Sequence, residues 1–204
     1  MTKWEVFFKE KCIEIFTTSK EVIDIGGTLR LNTGKSSRIE KTNEWLLPYV
    51  EKVDYKIMDP VPDYNPDILG DIHNLPFADD SKEAFLCLAV LEHVENPIRA
   101  MEELYRVLIP GGKLLIYVPF LYYYHAHEGY YGDYWRFTKD SLKMLSKPFS
   151  KSETEAVRLP IETLVRLTPF GRYKFPILCS RQLDKLLYKG GSNQVAGYYL
   201  YLKK

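Results

Sequence analysis

The chain lacks most of the features that fix a function class at sight. Its 204 residues include only three cysteines, Cys12, Cys87 and Cys179. They lie far apart and form no C-x-x-C pair, which excludes a disulfide framework and fits a reducing, cytoplasmic setting. Neither sign of charge dominates: 28 Lys and Arg stand against 27 Asp and Glu, for a net charge of +1. Nothing reads as a basic stripe with interleaved aromatics, so a nucleic-acid partner is not expected. Long apolar runs are missing too. The longest, Leu114 to Tyr124, is interrupted by Pro119 and is about half of the roughly 20 residues that a membrane-spanning helix needs. The first 16 residues mix charged and apolar side chains, without the unbroken apolar segment of a signal peptide. Internal repeats, low-complexity tracts and linkers are absent, and residues 1–204 are expected to form one domain.

What the chain does have is a clear alternation of strand and helix patterns. Residues 3–18 form an amphipathic helix, with Trp4, Phe7, Phe8, Cys12, Ile15 and Phe16 near one face, so that an N-terminal helix occupies 1–18. Val22, Ile23 and Ile25 make a short buried strand that ends at Gly26-Gly27. Residues 38–51 have room for a helix that Pro48 complicates. "DYKIMDP" is a second strand, and "ILGDIHNLPFADDS" opens as a short strand and becomes loop. "EAFLCLAVL" is a continuous apolar run after its leading Glu83, the signature of a strand covered on both faces. Asn96-Pro97 opens a helix as N-cap and first-turn proline, and that helix runs through "IRAMEELYRVLI" to Pro110-Gly111-Gly112. "KLLIYVPF" is a further strand. A helix is expected near 138–146, a strand over 153–159, a helix over 178–189, and a closing strand at "GYYLYLKK". Apolar strands alternating with helices predict an open α/β sheet with helices on both faces. Ligands of such sheets sit beyond the carboxyl ends of the strands. The residues to watch are therefore Asp24–Thr28, Asp59, Asp71, Ala89–His93 and Pro119–His127.

The loop after the first strand admits three readings. Gly34-Lys35-Ser36 matches the end of a P-loop, but the leading glycine of that motif falls on Leu29. A dinucleotide loop, G-x-G-x-x-G, lacks its second and third glycines. The third reading comes from the other strand ends. "VIDIGG", "YKIMDP", "GDIHNLPFADDS", "LAVLEHVENPIRAMEELYRVLIPGGKLLIYVPF" and "HAHEGYYGDYWRFT" occur in order. In this succession the chain resembles the class I S-adenosylmethionine-dependent methyltransferases, in the branch with many small-molecule enzymes of bacterial biosynthetic clusters. The resemblance runs from about Val22 to Leu145. It implies a Rossmann-like, seven-stranded, mostly parallel sheet and S-adenosylmethionine as cofactor.

The same resemblance implies residue roles. Asp24 would lie near the amino acid end of the cofactor, beside the backbone of Gly26 and Gly27. Asp59 would accept both ribose hydroxyls, as an acceptor-only carboxylate can. Asp71 would accept from the adenine amine, with Ile72 against the ring. Ala89 and Val90 would floor the site near the methyl group, and His93 would close one side. The family's first motif usually continues D-x-G-x-G-x-G, whereas Thr28 and Arg30 stand at its second and third glycines here. Asp24 and Asp59 are also 35 positions apart, against roughly 20 in the analogous dinucleotide motif. Arg30 is a candidate partner for the cofactor carboxylate or an exposed loop charge.

Methyl transfer is an in-line displacement that needs alignment and, for a hydroxyl or amine acceptor, a base. His125 and His127 are the candidates, because an imidazole takes a proton at neutral pH; Glu128 and Asp133 rank below them. The His125-x-His127 spacing can bind a metal on a strand, but no cysteine stands nearby and methyl transfer needs no ion, so none is expected. Sixteen tyrosines contribute to an aromatic content of 14%. Their crowding in 120–137 is read either as an active-site lid or as a satellite core with Trp135 and Arg136 stacked. The expected activity is methylation of a small molecule such as a sugar or a biosynthetic intermediate. Two alternatives stand beside it: a methyltransferase-fold binding or scaffolding protein without catalysis, and a P-loop nucleotide-binding protein.

Overall fold

The computed structural model describes residues 1–29, 31, 41–188 and 191–204. Helix α1 (Lys3–Thr18) starts on a capping box, in which Thr2 and Glu5 each satisfy a backbone N–H of the other. It leads into β1 (Glu21–Ile25). A 3-10 turn over Lys41–Leu46 runs into the short α2 (Leu47–Val50), with Pro48 in its first turn, and then β2 (Asp54–Asp59). The helix expected over 38–51 is thus mostly a 3-10 turn, because proline at 48 removes a donor and restricts the residue before it; residues 38–40 lie outside the described residues. Next come β3 (Ile68–Leu69), β4 (Lys82–Leu88), α3 (Pro97–Val107) and β5 (Leu108–Pro119). Then follow α4 (Lys139–Leu145), β6 (Lys151–Val157), α5 (Pro160–Arg166), α6 (Lys174–Leu187) and β7 (Gly197–Lys203).

The strands form one sheet in the order β3-β2-β1-β4-β5-β7-β6. All neighbours are parallel except β7, which runs antiparallel to both β5 and β6. The side chains of β4 explain its unbroken apolar run. Ala84, Leu86 and Leu88 pack with Cys12, Ile15 and Phe16 of α1, while Phe85 and Cys87 pack with Ala100, Met101 and Leu104 of α3. Both faces are covered from Ala84 to Leu88, so no position of that run is polar, while Lys82 and Glu83 at the open end of the strand are charged. Among the described residues, no helix is long and apolar enough to cross a membrane.

Two elements differ from the sequence pattern. Helix α3 ends at Val107 rather than at Pro110, and Pro110-Gly111-Gly112 lies inside β5 as a bulge. Lys82 pairs with Leu108 and Ala84 with Lys113, so the ladder skips the turn. Gly111 takes φ +79, which a side chain would strain. The helix expected over 178–189 is α6, which begins earlier and is preceded by an unforeseen α5. The reason is a cap from a distance: the Asp184 carboxylate on α6 accepts from the N–H groups of Ile161 and Glu162, at 2.9 and 2.8 Å. Buried Glu162 then binds Arg166 and Arg181, which locks the hairpin. Asp184→Ala should lower unfolding free energy by about 1–3 kcal/mol, measured by chemical denaturation, because two buried donors lose their acceptor. An unchanged midpoint would contradict this role.

The turn that leaves β1 is tied down from below. Asp24 is fully buried. Its carboxylate accepts from the Tyr55 hydroxyl at 2.6 Å, the Leu29 N–H at 3.1 Å and the Thr28 hydroxyl at 3.3 Å. Burial pushes its pKa up to about 6, against the pull of those three donors. Cys12 and Cys87, the nearby thiols, are driven well above their usual range, chiefly by burial. A carboxyl that is harder to ionise when folded stabilises most below its unfolded pKa near 4 and loses that contribution as pH rises through about 6. The change is on the order of 2–3 kcal/mol. Asp24→Asn should flatten the decline in denaturation midpoint between pH 4 and pH 7; an equal slope in both proteins would refute the assignment.

Candidate functional site

One cleft of about 1200 Å³ opens where β1, β2 and β4 end, with the segment after β5 across it. Ile25, Gly26, Gly27 and Thr28 form its first wall. Gly26 and Gly27 have φ +78 and +56. A Cβ on Gly26 would stand 3.0 Å from Val90 Cγ2, and one on Gly27 would stand 3.0 Å from Ile57 Cγ2. Both the backbone sign and the space therefore demand glycine at these two positions. Thr28, at the family's second glycine, serves the turn through its side chain, since its hydroxyl donates to Asp24. Asp24 itself is the one expected cofactor residue that does not reach the cleft wall; it holds the turn from behind. Arg30 and the Gly34-Lys35-Ser36 stretch of the P-loop reading lie outside the described residues.

The second wall is the end of β2. Asp59 is buried and lines the cleft. Its Oδ1 accepts from the Val61 N–H at 2.8 Å, while no described residue bonds Oδ2. Burial raises its pKa above the usual carboxylate range. Asp71 and Ile72 follow β3. Asp71 is exposed at the rim, and its Oδ1 is engaged by the backbone N–H and the Nδ1 of His73, at 2.9 and 2.7 Å. Ile72 is buried, with its side chain joined to the core. The third wall leaves β4: Ala89 takes φ +56, a left-handed conformation uncommon for a residue with a Cβ, and its N–H is held by Tyr117 O at 2.9 Å. Val90 and His93 complete this side.

The aromatic segment roofs the cleft instead of filling a separate core. Tyr124, Tyr130 and Tyr134 are exposed and line it. Across the opening, Tyr130 stacks on Tyr64 at 5.4 Å, and the Tyr130 hydroxyl donates to Asp63. The expected stacking of Trp135 on Arg136 does not occur. Trp135 Nε1 donates to Val94 O at 2.9 Å, and Arg136 makes two bonds to Asp133, at 2.6 and 2.7 Å. That guanidinium holds Asp133 down to about 2, so Asp133 is a fixed anion and a poor base at neutral pH.

The two histidines expected as bases are placed differently. His127 Nδ1 is bonded to the Tyr64 hydroxyl at 3.1 Å, the ring stacks on Tyr130, and no described residue bonds Nε2. His125 is wedged between two carboxylates. Its Nδ1 lies 3.2 Å from Asp133 Oδ2 and its Nε2 lies 3.6 Å from Glu92 Oε1. The Glu92 carboxylate is the main cause of a raised His125 pKa, opposed by burial. Glu92 is a site residue that the sequence pattern does not single out. It is fully buried, and neither carboxylate oxygen has a hydrogen-bond donor. Its only trace in the sequence is an acid set directly into the apolar end of a buried strand, "LAVLEH". His93 stands beside it, with Nδ1 2.6 Å from Gly132 O and its ring 4.8 Å from that of His125.

Residues 51–116 match the family described as "Methyltransferase domain". Among curated proteins, the chain is 46% identical over 48 residues to the human "Probable tRNA methyltransferase 9B", covering 22% of this chain and 11% of that one. It is 49% identical over 49 residues to a demethylmenaquinone methyltransferase of Paenarthrobacter aurescens, covering 24% and 19%. The chain thus spans well under a third of the length of the curated relatives it matches. Among solved structures, a SAM-dependent methyltransferase from Archaeoglobus fulgidus aligns with TM-score 0.60 at 13% identity over the whole of both chains. One from Thermotoga maritima aligns with TM-score 0.54 at 15% identity, covering 99% of this chain and 95% of that one. These two likenesses establish the fold, and the family match falls on the segment from the second strand through the fifth. By strand order and by these likenesses, the chain has the Rossmann-like fold of the class I S-adenosylmethionine-dependent methyltransferases, and its segment 51–116 matches a methyltransferase domain.

Proposed function

We propose that the chain transfers a methyl group from S-adenosylmethionine to a small-molecule acceptor, such as a sugar or a biosynthetic intermediate. The observation that carries this reading is the convergence of Gly26, Gly27, Asp59, Asp71, Ile72, Ala89, Val90 and His93 on one cleft at the strand ends. The residues fit the cofactor. Gly26 and Gly27 present a positive-φ turn without side chains to the cleft, and the cofactor carries no phosphate, so a longer glycine loop is not required. Asp59 Oδ2 is available to a diol partner, and one bond of the ribose pair can share Oδ1. Asp71 meets the adenine amine with the acceptor capacity that His73 leaves. Asp24 acts at one remove, through the turn it anchors. When bound, the cofactor supplies a methyl group on a sulfonium, already activated for displacement.

The acceptor side is the aromatic roof. Tyrosine faces there suit a flat or carbohydrate substrate and a nearby cation. A roof of this kind favours an acceptor small enough to lie beneath it, which supports a small molecule over a folded nucleic acid. For a hydroxyl or amine acceptor, His127 takes the proton at Nε2, with Tyr64 fixing the ring through Nδ1. His125 has both nitrogens facing carboxylates, which suits it less to act as the base.

Calorimetric titration with S-adenosylhomocysteine, with ATP–magnesium in a parallel cell, tests the cofactor assignment. Micromolar binding of the thioether and none of the nucleotide is expected; nucleotide binding alone would contradict it. Asp59→Ala should weaken thioether binding by about 1–3 kcal/mol, and unchanged affinity would sink the ribose assignment. His127→Ala should cut turnover at saturating cofactor by roughly 10²-fold or more, with cofactor affinity unchanged. The assay is transfer of labelled methyl to an acceptor found by screening, and undiminished turnover would remove His127 as the base.

A further inference from the structure

Three side chains under the aromatic roof form a ligand set that methyl transfer by alignment alone does not require. Glu92, on the turn after β4, His93 beside it and His125, after β5, each present one donor atom, and these atoms all lie within 4.8 Å of one another. Glu92 is fully buried, and both of its oxygens are without a hydrogen-bond donor. The closest approach, to His125 Nε2, is 3.6 Å, too long for a hydrogen bond. A buried carboxylate in this condition has His125 as a positive partner only when that ring is protonated, and no hydrogen bond in either state.

Both imidazoles are oriented as metal ligands are. His93 Nδ1 is 2.6 Å from Gly132 O, an acceptor, so Nδ1 carries the proton and Nε2 is left with its lone pair. His125 Nδ1 faces two acceptors, Tyr123 O at 3.0 Å and Asp133 Oδ2 at 3.2 Å, which again frees Nε2. Asp133 is in turn clamped by Arg136. A carbonyl behind one histidine and a carboxylate behind the other is the outer arrangement that fixes tautomer and ring direction in metal sites. The pair is not the His125-x-His127 of the sequence: His127 turns to Tyr64, and His93 takes its place.

We propose that Glu92, His93 and His125 bind one divalent transition-metal ion of the zinc class, with an open coordination position on the cleft. Two imidazoles and one carboxylate suit zinc and its neighbours, whereas magnesium prefers an all-oxygen shell. His93 and His125 both line the cleft, so a fourth position opens into it. Resting on the methyltransferase reading, that position would take an acceptor hydroxyl, whose proton, made easier to lose, would pass to His127 Nε2 as the oxygen–methyl bond forms and the sulfonium–methyl bond breaks.

The experiment is metal titration of the tag-free full chain after chelator treatment, in a Cys179→Ser background that removes the exposed thiol. Zinc is followed by calorimetry and cobalt by visible absorption, with magnesium as control. One equivalent of zinc and of cobalt is expected, with no magnesium binding. Glu92→Gln and His93→Ala should each weaken zinc by about tenfold or more. Absence of zinc and cobalt binding, or a site equally tight in both variants, would overturn the proposal. S-adenosylhomocysteine titrated into the same metal-free preparations reads the cofactor site separately, so a failed metal site and a failed methyltransferase reading give different results.

Discussion

The cleft is built outward from the buried carboxylate of Asp24. It sits at the end of β1, between β2 and β4, where the order of the sheet reverses and the following crossovers leave in opposite directions. With Tyr55 from β2 and the N–H of Leu29 bound to it, the chain must turn at Gly26 and Gly27 and cannot continue along the strand. That turn leaves the backbone close against Val90 and Ile57, which brings the ends of three strands to a common rim. The arrangement keeps a charge-bearing group in the core at an energetic cost, visible in its raised pKa, and in return fixes the first wall.

A second electrostatic theme runs under the roof. Asp133 and Arg136 form a tight pair and hold the backbone of the segment, since the His125 N–H also donates to Asp133 at 2.8 Å. The Glu92 main-chain carbonyl accepts from the N–H groups of Tyr134 and Trp135, at 2.8 and 3.2 Å. The roof is thereby sewn to the turn after β4 by backbone bonds, while the Glu92 side chain remains unsatisfied. One residue is structural through its backbone and available through its side chain, a division common at sites where binding completes the polar accounting.

Much of this was legible from residue order. Residues at the ends of the strands reach one cleft whatever the loop lengths between them, so the place of Asp59, Asp71, Ala89 and His93 on its wall was legible from the end of each apolar run. Positions decided by distant partners were not legible. Asp24 faces Tyr55 and not the cleft because of a contact across strands. Helix α5 depends on Asp184, 23 residues on, for its N-terminal cap. The meeting of Glu92 with His125 depends on the path of the roof. Pro110-Gly111-Gly112 looks like a helix stop and is one only in part, since the strand begins before it and bulges through. At the second glycine of the first motif, Thr28 bonds to Asp24 through its hydroxyl, a contact that the motif pattern does not foretell.

The central claim is that this rim, from Gly26 to His93, holds the adenosyl cofactor. Amide hydrogen exchange with and without S-adenosylhomocysteine tests it most directly. The account predicts slowed exchange in peptides containing 26–28, 59–61 and 89–93, with the α5–α6 hairpin unchanged. Unaltered exchange at those strand ends, or protection confined to the hairpin, would contradict it.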